Sequence, residues 1–361
     1  VTRVGIPDPD QAAVERTAAV LRQQASACRA LGSTLYGDLL IHAADDVLAG
    51  GPTADVLAGH MAARIASAMP LRMLAGAHAV ALSGRAPELA AFYPSAGGTA
   101  SPGPGSADAW AALRRTLAGQ RDVIRSWLDR PPQTNEVGRA AALLGGLRHI
   151  AAEAALPIRL VEIGASAGLN LRADYFCVPG DAGRFGDPSS PVILTGGWQG
   201  EPPPAAEVTI VARTGGDLRP LDPASPDGRL TLTAYVWPDQ AGRLARLRGA
   251  LDIAARVPAD LRQESATATL ARTALAAGSW TVLWHSVFRQ YLDPAQRAEL
   301  AQGVERLAAG ATPAGRFAHL SLEQIRTGGC PVTLTTWPGG RQRVLGTAPA
   351  HGTPVTWGAA P

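Results

Sequence analysis

The chain has 361 residues, 46% of them apolar and 17% charged, with a net charge of +3. That is a folded composition with room for two domains, and no basic block marks a nucleic-acid surface. All 33 cationic residues are Arg; the lack of Lys excludes a Schiff base, a pyridoxal phosphate anchor and a Walker-A phosphate grip within this chain.

Cys28, Cys177 and Cys330 are far apart and odd in number, which suggests neither a disulfide framework nor a zinc site. No apolar stretch approaches the ~20 residues that span a bilayer, and VTRVGIPDPD at the start carries no apolar signal core. The expectation is a cytoplasmic protein that binds no nucleic acid, membrane or metal and acts on a small molecule. Oligomeric state is left open.

Residues 10–155 read as helices. Val14, Ala18, Leu21 and Ala25 form one apolar stripe at helical spacing, and Leu35, Leu39 and Leu40 continue it beyond Gly32. A helical region at 54–82 is broken near Pro70, and a Pro/Gly/Ser loop fills 94–107. Helices resume at 108–128 and 135–155. From Pro157 short apolar runs alternate with amphipathic helices, as in a mostly parallel sheet covered by helices. Strands are expected at 159–163, 230–237, 260–263, 280–285 and 316–322, and helices at 239–256, 265–277 and 293–309. A terminal hairpin (VTLTTW, PGG, RQRVLGT) follows. Residues 175–229, rich in Pro and Gly, read as an insertion with short strands at 191–195 and 207–212. The domains are then an all-helical part, 1–134, and an α/β part, 135–361.

The informative stretch is RLVEIGASAGLNL, 159–171. An apolar strand ends in Glu162 and enters a turn containing Gly164, Ser166 and Gly168, with Asn170 just beyond. Glycines there permit a tight turn and close approach of a ligand. Upstream, QTNEVGR (133–139) opens a helix that leads straight into this strand. Helix and strand should lie antiparallel, which puts the helix start at the strand's C-terminal end, where open α/β sheets bind ligands. Gln133, Asn135, Glu136 and Arg139 are placed at that rim.

An acid–glycine turn after a first strand, followed by an acid after a second, resembles the Rossmann-like AdoMet-dependent methyltransferases. The resemblance covers roughly 135–361 and implies a methyltransferase-type sheet with helices on both faces, the helical N-terminal part forming a lid, and S-adenosylmethionine as cofactor. It implies that Glu162, Gly164, Ser166, Gly168 and Asn170 form the cofactor turn. It further implies that Asp239, after 230–237, holds the ribose hydroxyls, and that Glu264 and Ser265 meet the adenine. WTVLWHS would lead into the substrate pocket with Trp284 and Arg289, and His285 would be the catalytic base. Ser166 stands where that family has its central glycine. At a finer level, QTNEVGR, EIGASAGLN (162–170) and YVWPDQ (235–240) resemble a bacterial family of proteins of unknown function.

GASAG also fits the nucleophile elbow of α/β-hydrolases. Ser166 would then be the nucleophile, Asp239 the acid and His285 or His319 the base. A helical start and the lack of an oxyanion-hole motif oppose that reading. A third possibility is a ligand-binding protein that keeps the fold without the chemistry. His42 with Asp45 and Asp46 reads as a solvated helix face before a metal site. Asp217 and Asp222 read as part of a turn that brings polar groups from the insertion.

Overall fold

The computed structural model describes residues 9–61, 68–99, 106–180, 184–325 and 328–358. Residues 62–67 and 100–105, within the expected 54–82 helical region and the 94–107 loop, lie outside these. The chain divides into two units. One is Val1–Thr134 with Leu230–Leu244; the other is Asn135–Arg229 with Ala245–Pro361.

The first unit is helical: α1 Pro9–Ala30, α2 Thr34–Leu48, α3 Pro52–Leu57, α4 Met69–Leu82, α5 Pro87–Ala90, α6 Ser106–Gly119 and α7 Arg121–Leu128. The expected 54–82 region contains the end of α3 and all of α4, and Pro70 stands in the first turn of α4, which has no use for its missing N–H. The α1 stripe is buried, with Ala18, Leu21, Ala25 and Cys28 in one core with Leu39, Leu40, Met73 and Leu113. Asp46 is not on a solvated face. It is buried, accepting from the Thr53 amide at 2.8 Å and from Arg114 Nε at 2.7 Å.

In the second unit a 3₁₀ turn, Val137–Arg139, leads into α8, Ala140–Glu153. Then follow β1 Ile158–Ile163, β2 Trp198–Gly200 and β3 Ile210–Asp217. Next come α9 Pro226–Ala234, α10 Ala241–Ala254, β4 Asp260–Gln263, α11 Ala266–Arg272, β5 Ser279–Ser286 and α12 Pro294–Ala309. The chain ends with β6 Gly315–Leu322, β7 Cys330–Trp337, β8 Arg341–Ala348 and β9 Val355–Trp357. The facing ends of α9 and α10 cluster with the first unit.

The sheet order is β2-β9-β8-β7-β6-β5-β1-β3-β4. Strands β4, β3, β1, β5 and β6 run parallel, while β6-β7, β7-β8 and β8-β9 are antiparallel. β1 and β5 are buried nearly throughout, as strands covered on both faces must be, whereas β7 alternates buried and half-buried residues. Strand order reverses between β1 and β5, which opens a crevice at their C-terminal ends.

Two sequence expectations fail here. Residues 230–237 are not the second strand; their first half completes α9. The threonines of LTLTAYVW suggest a strand, but Ser225 accepts from the Gly228 amide and Pro226 stands in the first turn, and both are helix-start signals. The second parallel strand is instead β3, inside the stretch read as an insertion. Nor is there a strand at 191–195; Ile193 makes one isolated bridge to Cys177.

Both faces of the sheet carry helices. α8 comes close because Gly145 and Gly146 have no side chain: a Cβ there would run into the Trp357 ring and the Leu320 side chain. On the other face Leu270 of α11 and Leu300 and Leu307 of α12 share a core with Val161, Ile163, Leu283 and Phe317.

Candidate functional site

The turn after β1 is built from left-handed residues: Gly164 at φ 66°, Ser166 at 53° and Gly168 at 64°. A Cβ on Gly164 would strike the Phe288 ring. Almost every amide of the turn has an internal acceptor. Gly164 and Ala165 donate to the Gly216 carbonyl, and Ser166 donates to Asp217 Oδ2 at 2.9 Å. Ala167 and Leu169 donate to Asn135 Oδ1 at 3.2 and 2.9 Å, and Gly168 donates to the Ala165 carbonyl. Buried Arg172 donates from Nη1 to the carbonyls of Ala167 and Gly168.

The start of the α8 segment stands at the C-terminal end of β1. Besides Asn135, the Glu136 carbonyl accepts from Asn170 Nδ2 at 3.2 Å, and its carboxylate accepts from the Gly138 amide. Arg139 donates from Nη1 to the Ser286 carbonyl, just past the crevice, and from Nε to the Ala350 carbonyl. Gln133 is buried in the first unit.

Three adjacent parallel strands finish at or next to a carboxylate. Glu162 is the penultimate residue of β1, Asp217 ends β3, and Glu264 follows β4. Asp217 also accepts from the Arg219 amide through Oδ1. Glu264 accepts from Arg272 Nε and Thr269 Oγ1, and Arg272 holds its carboxyl below the usual range. Ser265 caps α11 by accepting from the Ala268 amide. Glu162 is buried, and its Oε2 has no hydrogen-bond partner among the described residues. Burial pushes its carboxyl up to about 8, against the pull of Arg172, Arg139 and the Trp284 indole N–H and with Asp217 adding to the rise. Trp284, its register partner on β5, is fully buried, and its indole N–H is the polar group that bears on the Glu162 carboxyl.

On the opposite face His285 is buried with both ring nitrogens engaged. Nδ1 lies 2.6 Å from Glu323 Oε1, and Nε2 lies 2.9 Å from Nε2 of His319. Glu323 also accepts from the amides of Phe288 and Arg289. Besides that amide, Arg289 contributes its carbonyl, which accepts from Arg297 Nε, and a positive charge that bears on His319. Glu323 and Arg172 escaped the sequence reading: one follows an apolar strand, the other sits in a 3₁₀ turn, and neither belongs to a recognisable spacing.

Asp239 is elsewhere. It belongs to the first unit, where its carboxylate accepts from Ser33 Oγ at 2.7 and 2.9 Å and from the Leu35 amide at 3.2 Å, at the start of α2. Its alignment with the acid of a second strand is therefore incorrect; Asp217 holds that position.

A large, mostly parallel sheet with a switch-point crevice, joined to a helical unit, defines this as a mixed α/β protein. The chain belongs to the family described as "Uncharacterized protein conserved in bacteria (DUF2332)", whose model matches residues 18–357. No curated protein matches the chain, and no solved structure does. Among the described residues no helix is long and apolar enough to cross a membrane, and no group of three or more His, Cys, Asp or Glu is arranged to hold a metal ion.

Proposed function

We propose that the second unit binds S-adenosylmethionine at the C-terminal ends of β1, β3 and β4 and transfers its methyl group to a small molecule. The observation that carries this reading is the row of carboxylates Glu162, Asp217 and Glu264 beside the switch point. The turn's amides are largely spent on Gly216, Asp217 and Asn135, so it is poorly suited to cradle a phosphate. It suits a ligand that brings donors and positive charge: an ammonium, a sulfonium, a ribose diol and an adenine amine. The buried Glu162 carboxyl fits such a ligand, because its Oε2 makes no close hydrogen bond and its burial is costly to the charged form until a cation arrives. Glu162 would hold the cationic part, Asp217 the diol, and Glu264 with Ser265 the adenine end.

When bound, the cofactor supplies an electrophilic methyl group. The protein aligns the acceptor and excludes water, with Trp284 and Phe288 as apolar walls. Because burial keeps the Glu162 carboxyl protonated up to about pH 8, binding of a cation at neutral pH should release a proton.

The test is thermal unfolding with S-adenosylmethionine or S-adenosylhomocysteine. At 100 times its dissociation constant a ligand adds ~2.7 kcal/mol. Glu162→Gln and Asp217→Ala should abolish the shift and Asp239→Ala should keep it. No shift for the folded wild type at millimolar ligand rejects the reading.

One observation favours a serine hydrolase: the positive φ of Ser166, which nucleophile elbows share. Against it, Asp239 caps α2 and His285 is bound to Glu323 and His319. Fluorophosphonate labelling of Ser166, lost in Ser166→Ala, would establish the hydrolase instead.

A further inference from the structure

We propose that Glu323, His285 and His319 form a proton relay that takes a proton from an O–H or N–H methyl acceptor at His319 and leaves the charge on His285. The acceptor in this proposal rests on the methyl-transfer reading; the proton geometry does not.

Glu323 accepts two backbone amides as well as His285 Nδ1. A carboxylate so placed accepts only, so His285 must present Nδ1–H to it. When His285 is neutral, its Nε2 is then a lone pair. At 2.9 Å the facing Nε2 of His319 must carry the hydrogen and donate it. The remaining nitrogen of His319, Nδ1, is therefore the lone pair at the end of the row, on a residue that keeps partial exposure while its ring is largely desolvated.

The transfer follows from this tautomer pattern. The acceptor's X–H bond breaks and its electron pair stays on X, ready to take a methyl group. The proton bonds to His319 Nδ1. The hydrogen on His319 Nε2 moves to His285 Nε2. His319 ends neutral as the Nδ1–H tautomer, and His285 ends as an imidazolium against the Glu323 carboxylate. His319 cannot store the charge itself, since burial and the neighbouring His285 and Arg289 push its ring down to about 3.

The groups facing the row support this direction of flow. Arg289, in the turn after β5, and Arg139, which with Glu323 acts on Cys330 of β7, are the cations nearby. Thr335 of β7 is opposite His319 in register, and among the described residues α11 and α12 bring apolar side chains to the core of this face, Leu270 and Ala266 from the one and Leu300, Val304, Leu307 and Ala308 from the other. Glu323 is thus the anion of the row. The backbone also carries strain here. Val287 sits at φ 50°, unusual for a β-branched residue, and the turn it makes brings the Phe288 and Arg289 amides to Glu323. An apolar core at this place would fold at lower cost than a buried acid and two imidazoles.

A relay of this kind is needed only where the acceptor must lose a proton. The inference therefore names the substrate class: an alcohol, phenol or N–H compound, in contrast to a thioether or tertiary amine.

The experiment is ¹⁵N NMR of the full chain with labelled histidine from pH 5 to 9, assigned with His285→Gln and His319→Gln. At high pH we expect His285 as Nδ1–H and His319 as Nε2–H. Where His285 gains its second N–H, His319 should switch to Nδ1–H in the same step, and Glu323→Gln should uncouple the two changes. A His319 that keeps Nε2–H throughout, or titrates alone, overturns the relay from the wild type alone, whether or not Glu323→Gln folds. Calorimetry with S-adenosylmethionine separates the two readings. If His319→Gln keeps the wild-type affinity, His319 is on the acceptor side; if it loses binding, the acceptor role falls. A wild type that does not bind overturns the cofactor reading and the acceptor class, and the NMR result alone then decides the relay.

Discussion

Single residues here are set by their surroundings more than by their type. Glu162 and Asp239 are both acids after apolar residues, yet one is a buried carboxyl held protonated and the other caps a helix. For Glu162 the sign of the pH effect is definite. Its carboxyl ionises near 4.5 when unfolded and near 8 when folded, so the folded state binds the extra proton between those values. Stability should fall as pH rises through that window. Glu162→Gln should remove that slope, and urea unfolding at pH 5 and pH 8 would measure it; a parallel slope in the variant would show the carboxyl is ionised after all. His78 works in the other direction. Held between the Ala234 carbonyl and Ser95 Oγ, it is pushed down to about 4 by burial. Its contribution to stability is present above 6.5 and lost as pH falls towards 4. Asp239→Ala should cost about 0.5–2 kcal/mol, as the loss of a helix cap does. Measured against Asp217→Ala in a ligand-binding assay, the pair also decides which acid serves the ligand.

Elements are positioned by what they leave out as much as by what they carry. α8 lies on the sheet because Gly145 and Gly146 face Trp357 and Leu320. Ala at a helix interior normally gains about 1 kcal/mol over Gly. At Gly145 the gain should be overturned by overpacking of roughly 1–3 kcal/mol, since the buried Trp357 ring has little freedom to move. Gly119 of α6 has nothing within reach of a Cβ, so Gly119→Ala should be neutral or mildly stabilising. Equal effects at the two sites in chemical denaturation would mean that α8 is not so close. β3 uses the same device: a Cβ on Gly215 or Gly216 would meet Ala165 or Thr269, and the turn after β1 lies against that bare stretch of backbone.

At the scale of the molecule, the first unit is not a continuous segment. Residues 1–134 need Leu230–Leu244, which bring Trp237 into the helical core and the Ala234 carbonyl to His78. A fragment of residues 1–134 should therefore be helical by far-ultraviolet circular dichroism and yet lack a cooperative urea transition; a sharp transition would show that the unit closes without its late segment. Trp237→Ala in the full chain should cost roughly 3–5 kcal/mol, because the ring is buried among residues distant in sequence.

The strands of the parallel sheet were legible in the sequence, β3 only at its start, where a short strand is expected at 207–212, because burial on both faces demands unbroken apolar runs such as WTVLW and RFAHL. The α8 segment was legible as well: a short connection forces it antiparallel to β1, and so Asn135 reaches the turn. What sequence could not decide was which acid follows the second strand. TIVARTGGD, with its glycines and flanking prolines, looks less like a strand than LTLTAYVW does. The first nevertheless pairs with β1, where the neighbouring turn requires bare backbone, and the second turns helical, where Ser225 and Pro226 start it and the helical core buries it. Local preference for strand or helix is worth less than about 1 kcal/mol per residue, and burial of one Trp or Leu side chain outweighs it. The row of Glu323, His285 and His319 was equally out of reach, since only the pairing of β5 with β6 brings together groups 34 and 38 residues apart.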